Sequence, residues 1–439
     1  MRLLHTTTFE LRSFLGEEKP PYAILSHTWG DDEVLYEDAR GGSEKLQSCE
    51  KAGLSKVLTA AQKARGQKLH YIWIDTCCID KSSSAELSEA INSMFAWYAD
   101  AVICYAFLSD YTSLGGQDFE DELKQSRWFY RGWTLQELIA PFEVDFYDST
   151  WSLFGNRFGL SAAISRITGI DESFLQAGTS CRHGHNCVNI RNCNDCQEGV
   201  GKRRIHRQLL ARRLKAHGIS SRMSWASRRS TTRPENIAYC LLGIFSVNMP
   251  LLYGEGGARA FQRLQQEIGR HSPDHTLLAW HGVIPYDRDS YRASFLGLAP
   301  SPLAFHEGHL FRPLQGEEGL GSMTLFGKGF NLDVYLSPSS GIEWSYLDHR
   351  SFTLRKRTPK AVETASGLWI AILNCTARND YFTSPALIVE KTALTSNSFK
   401  RFNFNKDLLP RQECIARIAH GSNSCQVLGP GYQAKHFHL

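Results

Sequence analysis

The stretch that decides the fold is YIWIDTCCIDKSSSAELSEAINSMFAWYADAVICYAFLSD, residues 71–110 of a chain of 439. It begins and ends with short apolar runs, and a helical pattern lies between them. Ser83 and Glu86 form a capping box that predicts the start of this helix. Apolar residues then recur at the period of an amphipathic helix: Leu87, Ala90, Ile91, Met94, Phe95 and Tyr98. A strand, a helix and a second strand in this order are the unit from which parallel sheets are built.

The same pattern extends over residues 1 to about 170. Apolar runs predict four strands, namely Tyr22–Thr28, Tyr71–Thr76, Val102–Leu108 and Glu143–Tyr147. A helix is predicted between Ser55 and Gly66, and another from Trp128 to Ala140. The strands are almost continuously apolar, which is typical of a sheet that helices cover on both faces. We therefore predict an α/β domain with a parallel sheet over residues 1–170.

Three further regions are predicted after this domain. Residues 171–222 form an insertion that is rich in cysteine and histidine and then in basic residues. Residues 223–275 have a helical pattern. Residues 276–439 change to short alternating runs separated by turn residues, such as Met323–Tyr335, which indicates a β-rich domain built as a small antiparallel sandwich or barrel.

Composition excludes several classes of protein. The net charge of +4 and pI of about 8.4 are too mild to indicate a nucleic-acid-binding or membrane-surface protein. The sequence contains no apolar run of the length that a membrane span needs, and its N-terminus is polar too early for a signal peptide. The twelve cysteines are clustered instead of being spread as a disulfide framework. We therefore expect a cytoplasmic protein.

The segment CRHGHNCVNIRNCNDC, residues 181–196, contains candidate metal ligands. Cys193 and Cys196 form a C-x-x-C pair, and Cys181 and Cys187 complete four thiolates for a structural zinc ion. His183 or His185 is an alternative ligand. Reduced thiols without metal are the other interpretation.

The segment KRRIHRQLLARRLKAHG, residues 202–218, is strongly basic. Lysine and arginine side chains bind polyanions by neutralising phosphates, although a basic helix face is more often simply solvated. Because no aromatic residues are interleaved, the segment offers no platform for base stacking. We do not expect nucleic acid to be the partner, and a zinc-dependent nucleic-acid binder is the weaker alternative.

Polar side chains follow the predicted strands, at the edge where ligands bind in open parallel sheets. Ser26, His27 and Asp31 come at or after the end of the first strand, and Asp75 ends the second. Loop acids are commonly just solvated. Their clustering at strand ends nevertheless makes this edge the candidate site.

The segment SRWFYRGWTLQELIAP, residues 126–141, contains the highest density of aromatic, charged and polar side chains. On a continuous helix, Trp133 and Glu137 are four residues apart and share a face. A carboxylate beside an indole is suited to hold a ribose or to stabilise positive charge on a sugar carbon. The alternative is a buried tryptophan with Glu137 paired to Arg131.

Three long blocks of the sequence resemble the fungal heterokaryon incompatibility (HET) domain. They are YAILSHTWGDDEV (22–34), IWIDTCCIDKSSSAELSEAINSMFAWYADAVICYAFLSD (72–110) and the segment 126–141. Residues 223–268 are similar to the helical region that commonly follows HET domains, and residues 294–305 and 327–336 resemble the β-rich tail. The resemblance implies a role in non-self recognition that ends in regulated cell death.

The domain also resembles, more remotely, the Toll/interleukin-1 receptor (TIR) domain. This resemblance implies a flavodoxin-like sheet and cleavage of NAD⁺, with NAD⁺ as the substrate. The positions that match the catalytic pattern of plant-type TIR domains are Ser126, Trp128 and Glu137, and Trp133 is the alternative tryptophan because Trp128 and Glu137 are farther apart than in that pattern. For this reaction we predict that NAD⁺ is bound by Ser26, His27, Asp31, Asp75 and Trp128, with the loop residues at the ribose or phosphate, and that Arg131 pairs with a phosphate.

Two classes of function stay open at this stage. The first is an effector that hydrolyses NAD⁺ after self-association through its HET domain. The second is a signalling module without enzymatic activity, whose HET domain only binds itself or a protein trigger that the sequence does not identify. They differ in whether Glu137 lies in an open cleft with Ser26 and Asp31 or in a buried ion pair.

Overall fold

A computed structural model describes residues 1–16, 19–113, 119–176, 199–280 and 298–313, together with ten strands between residues 323 and 438. The chain divides into two compact units. Unit 1 comprises Met1–Lys215, Arg229–Thr232 and Tyr239–Leu251, and unit 2 comprises Ala216–Arg228, Arg233–Ala238 and Leu252–Leu439. All the residues predicted to bind or cleave NAD⁺ belong to unit 1.

Unit 1 is built on a seven-stranded sheet whose centre is parallel. Its strands are β1 (Arg2–His5), β2 (Leu11–Ser13), β3 (Tyr22–His27), β4 (Tyr71–Trp73), β5 (Ile103–Phe107), β6 (Val144–Tyr147) and β7 (Leu153–Asn156). The spatial order is β2-β1-β4-β3-β5-β6-β7. β3 pairs in parallel with β4 and β5, β5 pairs in parallel with β6, and the outer strands are antiparallel. The predicted α/β domain with a sheet of buried strands is confirmed.

The sheet reverses its winding at β3. After β3 the chain forms β4 on one side and then crosses to form β5 on the other. Such a topological switch point opens a crevice at the carboxyl ends of the two strands, because the following loops leave in opposite directions. The crevice therefore lies where β3 ends with Ser26 and His27.

Fourteen α-helices lie among the described residues. They are α1 (Tyr36–Ala39), α2 (Gly42–Gln47), α3 (Leu54–Gly66), α4 (Asp75–Cys78), α5 (Ser84–Asp100), α6 (Phe119–Gln125), α7 (Thr134–Ile139), α8 (Ser161–Thr168), α9 (Glu172–Gln176), α10 (Gly199–Ala216), α11 (Ile219–Ser224), α12 (Asn236–Tyr239), α13 (Leu242–Phe245) and α14 (Gly257–His271). The predicted start of α5 is confirmed, because the Ser83 hydroxyl accepts the Glu86 amide hydrogen at 3.3 Å. None of the described helices is both long and apolar enough to span a bilayer.

Two elements differ from the prediction. The strand expected over Tyr71–Thr76 ends at Trp73, and α4 follows at once. The helix expected from Trp128 to Ala140 is divided into a 3-10 turn, Arg127–Tyr130, and α7. The division occurs because the backbone at Tyr130 and Gly132 pairs with Ser230, through N···O distances of 2.7 and 2.8 Å. A β-carbon at Gly132 would lie 2.5 Å from the Thr231 methyl group, so this approach requires glycine.

Several residues of the basic helix α10 contact other residues of unit 1. Arg207 donates to both carboxylate oxygens of Asp100 at 2.5 Å, and the Asp100 side chain is fully buried. Leu210 and Leu214 are buried, and the His206 ring bonds to Ala140 O at 2.8 Å. Burial lowers the pKa of His206 to about 4. Part of the basic segment therefore has a structural role.

Unit 2 contains α11 and α14, short 3-10 turns at His275–Leu278, Pro302–Phe305 and Gly308–Leu310, and a series of strands. The strands are β8 (Phe311–Pro313), β9 (Met323–Phe326), β10 (Gly329–Pro338), β11 (Ser345–Asp348), β12 (Ser351–Lys356), β13 (Leu368–Ile372), β14 (Cys375–Ala377), β15 (Thr383–Lys391), β16 (Phe399–Arg401), β17 (Ala416–Ala419) and β18 (Ala434–His438). β9, β10, β13, β15, β16, β17 and β18 form one antiparallel sheet, while β11 pairs with β12 and β8 with β14.

Candidate functional site

The residues predicted at the end of β3 lie on opposite faces of the sheet. Ser26 and His27 are neighbours, and successive side chains of a strand point to opposite faces. The structure therefore divides the predicted site into two clusters. The Glu137 cluster contains Ser26, Tyr98, Trp128 and Glu137. The Asp75 cluster contains His27, Trp29, Glu33, Asp75 and Lys81.

The Glu137 cluster is a chain of hydrogen bonds from an indole to a carboxyl group. Trp128 Nε1 donates to Ser26 Oγ at 2.8 Å, and Ser26 Oγ donates to Glu137 Oε2 at 2.5 Å. Ser26 and Trp128 are fully buried, and Glu137 is 7% exposed. The serine hydroxyl thus donates its single hydrogen to Glu137. The hydrogen bond that it accepts from Trp128 fixes the orientation of this hydroxyl group.

Tyr98 is hydrogen-bonded to the same carboxyl group. Its hydroxyl also donates to the backbone oxygen of Leu25 at 3.0 Å. A phenol has one hydrogen, so Tyr98 shares it between the backbone oxygen of Leu25 and the carboxyl group of Glu137.

The electrostatic environment favours the protonated form of Glu137. Burial, together with the negative charge of Asp75, raises the pKa of Glu137 to about 8. The hydrogen bonds from Ser26 and Tyr98 and the positive charge of Arg229 oppose this shift without overcoming it. At neutral pH the carboxyl group is therefore mostly neutral in this conformation.

Trp128, and not Trp133, donates the hydrogen bond that orients Ser26 towards Glu137. The 3-10 turn carries Trp128 inward, whereas half-buried Trp133 immediately precedes α7. Ser126 caps this turn: its hydroxyl donates to Asp110 Oδ1 at 2.7 Å and accepts from the Trp128 amide at 3.4 Å. The structure therefore places Ser126 in a supporting position, away from Glu137.

Arg229 is a residue of this site that the sequence did not indicate. Its Nη1 donates to Arg131 O at 2.8 Å and to Thr134 Oγ1 at 2.9 Å, and the Thr134 hydroxyl donates to Trp128 O at 2.5 Å. Arg229 is buried, and burial lowers its pKa to about 10. It holds together the turn and the helix that carry Trp128 and Glu137. Arg131 itself donates to Thr232 Oγ1 at 3.1 Å, so the predicted Arg131–Glu137 pair is not formed.

The Asp75 cluster lies on the other face of β3. Asp75 Oδ1 accepts from His27 Nε2 at 3.0 Å, and Asp75 Oδ2 accepts from Trp29 Nε1 at 2.9 Å. Lys81 Nζ lies 3.6 Å above the centre of the Trp29 ring. Burial opposes ionisation of Asp75, but the charge of Lys81 and the hydrogen bonds from His27 and Trp29 hold its pKa far below the usual value.

Glu33 completes this cluster. Its Oε1 accepts from Gly30 N at 2.7 Å and from Lys56 Nζ at 2.5 Å, and lies 3.9 Å from His27 Nδ1. Asp31, which was predicted to contact ribose or phosphate, is exposed in the adjacent loop and belongs to neither cluster. Two of the predicted binding residues, His27 and Asp75, are therefore brought together.

Two neighbouring cysteines of the described part of unit 1 follow β4. Cys77 and Cys78 are buried, and burial raises the pKa of the Cys78 thiol to about 12. Among the described residues no group of three potential ligands is arranged for a metal ion. The predicted zinc ligands Cys181, Cys187, Cys193 and Cys196, with His183 and His185, lie outside the described residues.

Comparison with known proteins identifies the domain. Residues 22–121 match the family model for the heterokaryon incompatibility protein (HET). The chain carries a HET domain. Residues 259–294 match a domain of unknown function, DUF8212. Over 258 residues, 57% of this chain, the sequence is 39% identical to vegetative incompatibility protein HET-E-1 of Podospora anserina. The HET-domain chain covers 16% of the length of that relative, and no solved structure gives a significant match.

Proposed function

We propose that this HET-domain protein acts in vegetative incompatibility, as an effector of the cell death that follows non-self recognition, and that the Glu137 cluster hydrolyses NAD⁺. The similarity to a vegetative incompatibility protein supports the first part. The second part rests on one observation: a chain of hydrogen bonds runs from Trp128 through Ser26 to the carboxyl group of Glu137 at the carboxyl end of β3, beside the switch point.

The strand order is a further support for a TIR-like domain. Counted along the chain, the parallel strands lie in the order second, first, third, fourth, which is the order of flavodoxin-like sheets. In such sheets ligands bind at the carboxyl ends of the strands. The Glu137 cluster lies at that edge.

One ionised carboxylate suffices for the proposed reaction. The bond between C1′ of the ribose and the nicotinamide nitrogen breaks, and its electron pair leaves with the nitrogen, which neutralises the pyridinium charge. Glu137 stabilises the positive charge that develops on the ribose. Water then bonds to C1′ and loses a proton to solvent, so that the products are nicotinamide, ADP-ribose and H⁺.

The described conformation corresponds to a resting state in this proposal. Glu137 is only 7% exposed, and its raised pKa keeps it neutral at pH 7, whereas the reaction needs it exposed and ionised. A rearrangement must therefore uncover the carboxyl group and stabilise its charge. We propose that self-association through the HET domain, set off by a protein trigger, produces this change.

A signalling module without enzymatic activity is the second candidate. The enclosure of Glu137 by Ser26, Tyr98 and Trp128 favours it, because a buried neutral acid can serve as a structural hydrogen-bonding group. A zinc-dependent nucleic-acid binder is a weaker candidate, since Arg207 of the basic helix is engaged with Asp100.

The test is NAD⁺ consumption and nicotinamide release by the purified chain at high concentration, with and without a crowding agent. Wild-type protein and the control Glu44→Gln, at an exposed carboxylate of α2, should both turn over NAD⁺, and Glu137→Gln should not. The rate should rise with pH, because the ionised carboxylate is the active form. No turnover by folded, assembled wild-type protein, or equal turnover by Glu137→Gln, would refute the enzymatic proposal.

A further inference from the structure

Two segments that follow α10 in the chain pack onto the domain that carries Glu137. They are Arg229–Thr232 and Tyr239–Leu251, which belong to unit 1, although the residues before, between and after them belong to unit 2. We call these two segments the strap. Each segment of the strap is joined at both ends to residues of unit 2.

The first segment of the strap pairs with the backbone just before α7, the helix of the candidate site. Ser230 N donates to Tyr130 O at 2.7 Å, and Gly132 N donates to Ser230 O at 2.8 Å. A β-carbon at Gly132 would lie 2.5 Å from the Thr231 methyl group and 3.1 Å from Cys240 Sγ. Both segments of the strap therefore lie against this glycine.

The second segment packs onto α5, the helix that carries Tyr98. A β-carbon at Gly243 of α13 would overlap the β-carbon of Phe95, one helical turn before Tyr98. The two helices thus approach each other so closely that only glycine fits between them. The strap contacts both helices that contribute hydrogen-bonding groups to the Glu137 cluster.

Cys240 and Arg229 bring the strap close to the carboxyl group itself. Both residues are buried, and Cys240 is completely so. The charge of Glu137 acts on the pKa of both groups, which requires that both lie within electrostatic reach of it. Residues of the strap therefore belong to the enclosure that leaves Glu137 only 7% exposed.

The strap is attached more lightly than the strands beneath it. Among the described residues it joins no strand of the sheet of unit 1, and its backbone pairing with the turn is an isolated bridge, Arg131 with Ser230. Segments with few backbone hydrogen bonds to their neighbours open at a lower free energy than the strands of a core sheet. The strap can therefore open while the sheet stays folded.

We propose that the strap is a lid over the Glu137 cluster, and that its displacement is the step that admits NAD⁺. This inference rests on the proposed function, because it names the part of the chain that regulates the same site. Opening breaks the pairing of Ser230 with the turn and withdraws Cys240 and Arg229, while Ser26 stays in the sheet. Water then reaches the carboxyl group, and loss of the burial that raises its pKa favours the ionised form.

The arrangement also fits one kind of trigger. Because both segments of the strap continue into unit 2, a protein that binds unit 2 and moves its chain acts on the strap without contacting the Glu137 cluster.

The test measures alkylation of Cys240 by iodoacetamide in the folded full chain, with mass spectrometry of peptides to follow each cysteine separately. Cys104, completely buried in β5, is the internal reference for opening of the sheet. In wild-type protein Cys240 should react at least about tenfold faster than Cys104, because the strap opens without the sheet.

Gly243→Ala should raise the rate at Cys240 by about tenfold or more, since opening relieves the overlap with Phe95. Gly66→Ala is the matched control, because a β-carbon there meets nothing within 4 Å, and it should leave the rate unchanged. Gly132→Ala disturbs the other segment of the strap and provides a second variant if Gly243→Ala does not fold.

NAD⁺ turnover is measured on the same proteins. It should rise together with the reactivity of Cys240 in Gly243→Ala. The double variant Gly243→Ala/Glu137→Gln should keep the fast alkylation and lose the turnover, because opening does not need the carboxylate.

The outcomes separate the lid from the proposed hydrolase. Fast alkylation of Cys240 in the opening variants, with no NAD⁺ turnover by any protein, would refute NAD⁺ hydrolysis and leave the lid standing. Turnover that does not increase in either variant, although Cys240 reacts faster, would overturn the lid and leave the hydrolase. The lid is also overturned if Cys240 and Cys104 react at the same rate in wild-type protein, or if neither variant speeds alkylation of Cys240.

Discussion

Replacing Glu137 by glutamine is expected to stabilise the protein increasingly as the pH rises from 5 to 7. The folded protein holds the pKa of this carboxyl group at about 8, against 4.5 for an ordinary glutamate. Above pH 4.5 the unfolded chain releases the proton while the folded chain retains it, so wild-type stability decreases as pH rises towards 8. From the linkage relation this penalty is about 1 kcal/mol at pH 5 and about 3 kcal/mol at pH 7.

Glutamine does not titrate, so the stability of the variant does not include this pH-dependent loss. Any effect of glutamine that is independent of pH cancels when the two pH values are compared. The stability of Glu137→Gln relative to wild type should therefore increase by about 2 to 3 kcal/mol between pH 5 and pH 7. Urea unfolding of both proteins at pH 5 and pH 7 measures it, with Glu44→Gln as the exposed control. If the stability difference between Glu137→Gln and wild type is the same at both pH values, Glu137 is ionised in the folded protein and the argument fails.

Two further predictions follow from the structure, and a third follows from the sequence alone. Arg229→Gln should destabilise the protein by about 2 kcal/mol and raise the pKa of Glu137, measured from its carboxyl infrared band, whereas exposed Arg228→Gln should change neither. Gly132→Ala should cost about 1 to 3 kcal/mol in urea unfolding, because its β-carbon would lie 2.5 Å from a threonine methyl; an unchanged midpoint would contradict the packing. Elemental analysis should find one zinc per chain, lost when the cysteines of residues 181–196 are replaced by serine; metal-free native protein would exclude the site.

The elements that the sequence predicts well are those with a local cause. The buried strands and α5 follow from apolar periodicity and from the Ser83 cap, all within one stretch of chain. Side chains alternate between the two faces of a strand, so the sequence already implied that Ser26 and His27 point to opposite faces. Because both residues lie at the end of the same predicted strand, we nevertheless expected them in a single site. Local patterns therefore identified the correct edge of the sheet.

The details of the Glu137 cluster depend on contacts between distant residues. Ser26 and Glu137 are separated by 111 positions, and Arg229 and Thr134 by 95. The expectation that Trp133 accompanies Glu137 assumed a continuous helix, which the backbone pairing of Gly132 with Ser230 interrupts. A periodic pattern contains no signal for such an interruption, because the segment that causes it lies about a hundred residues away.

The two clusters are electrically linked although they lie on opposite faces of β3. The negative charge of Asp75 raises the pKa of Glu137, so the ionised Asp75 that attracts Lys81 also keeps Glu137 neutral. The positive charge of Arg229 lowers the pKa of Glu137. The charge of Glu137 therefore depends first on its burial, and the opposing charges of Asp75 and Arg229 adjust it. Whatever moves Asp75 away, neutralises it or brings Arg229 closer favours the ionised form, which is the form that the proposed NAD⁺ cleavage requires.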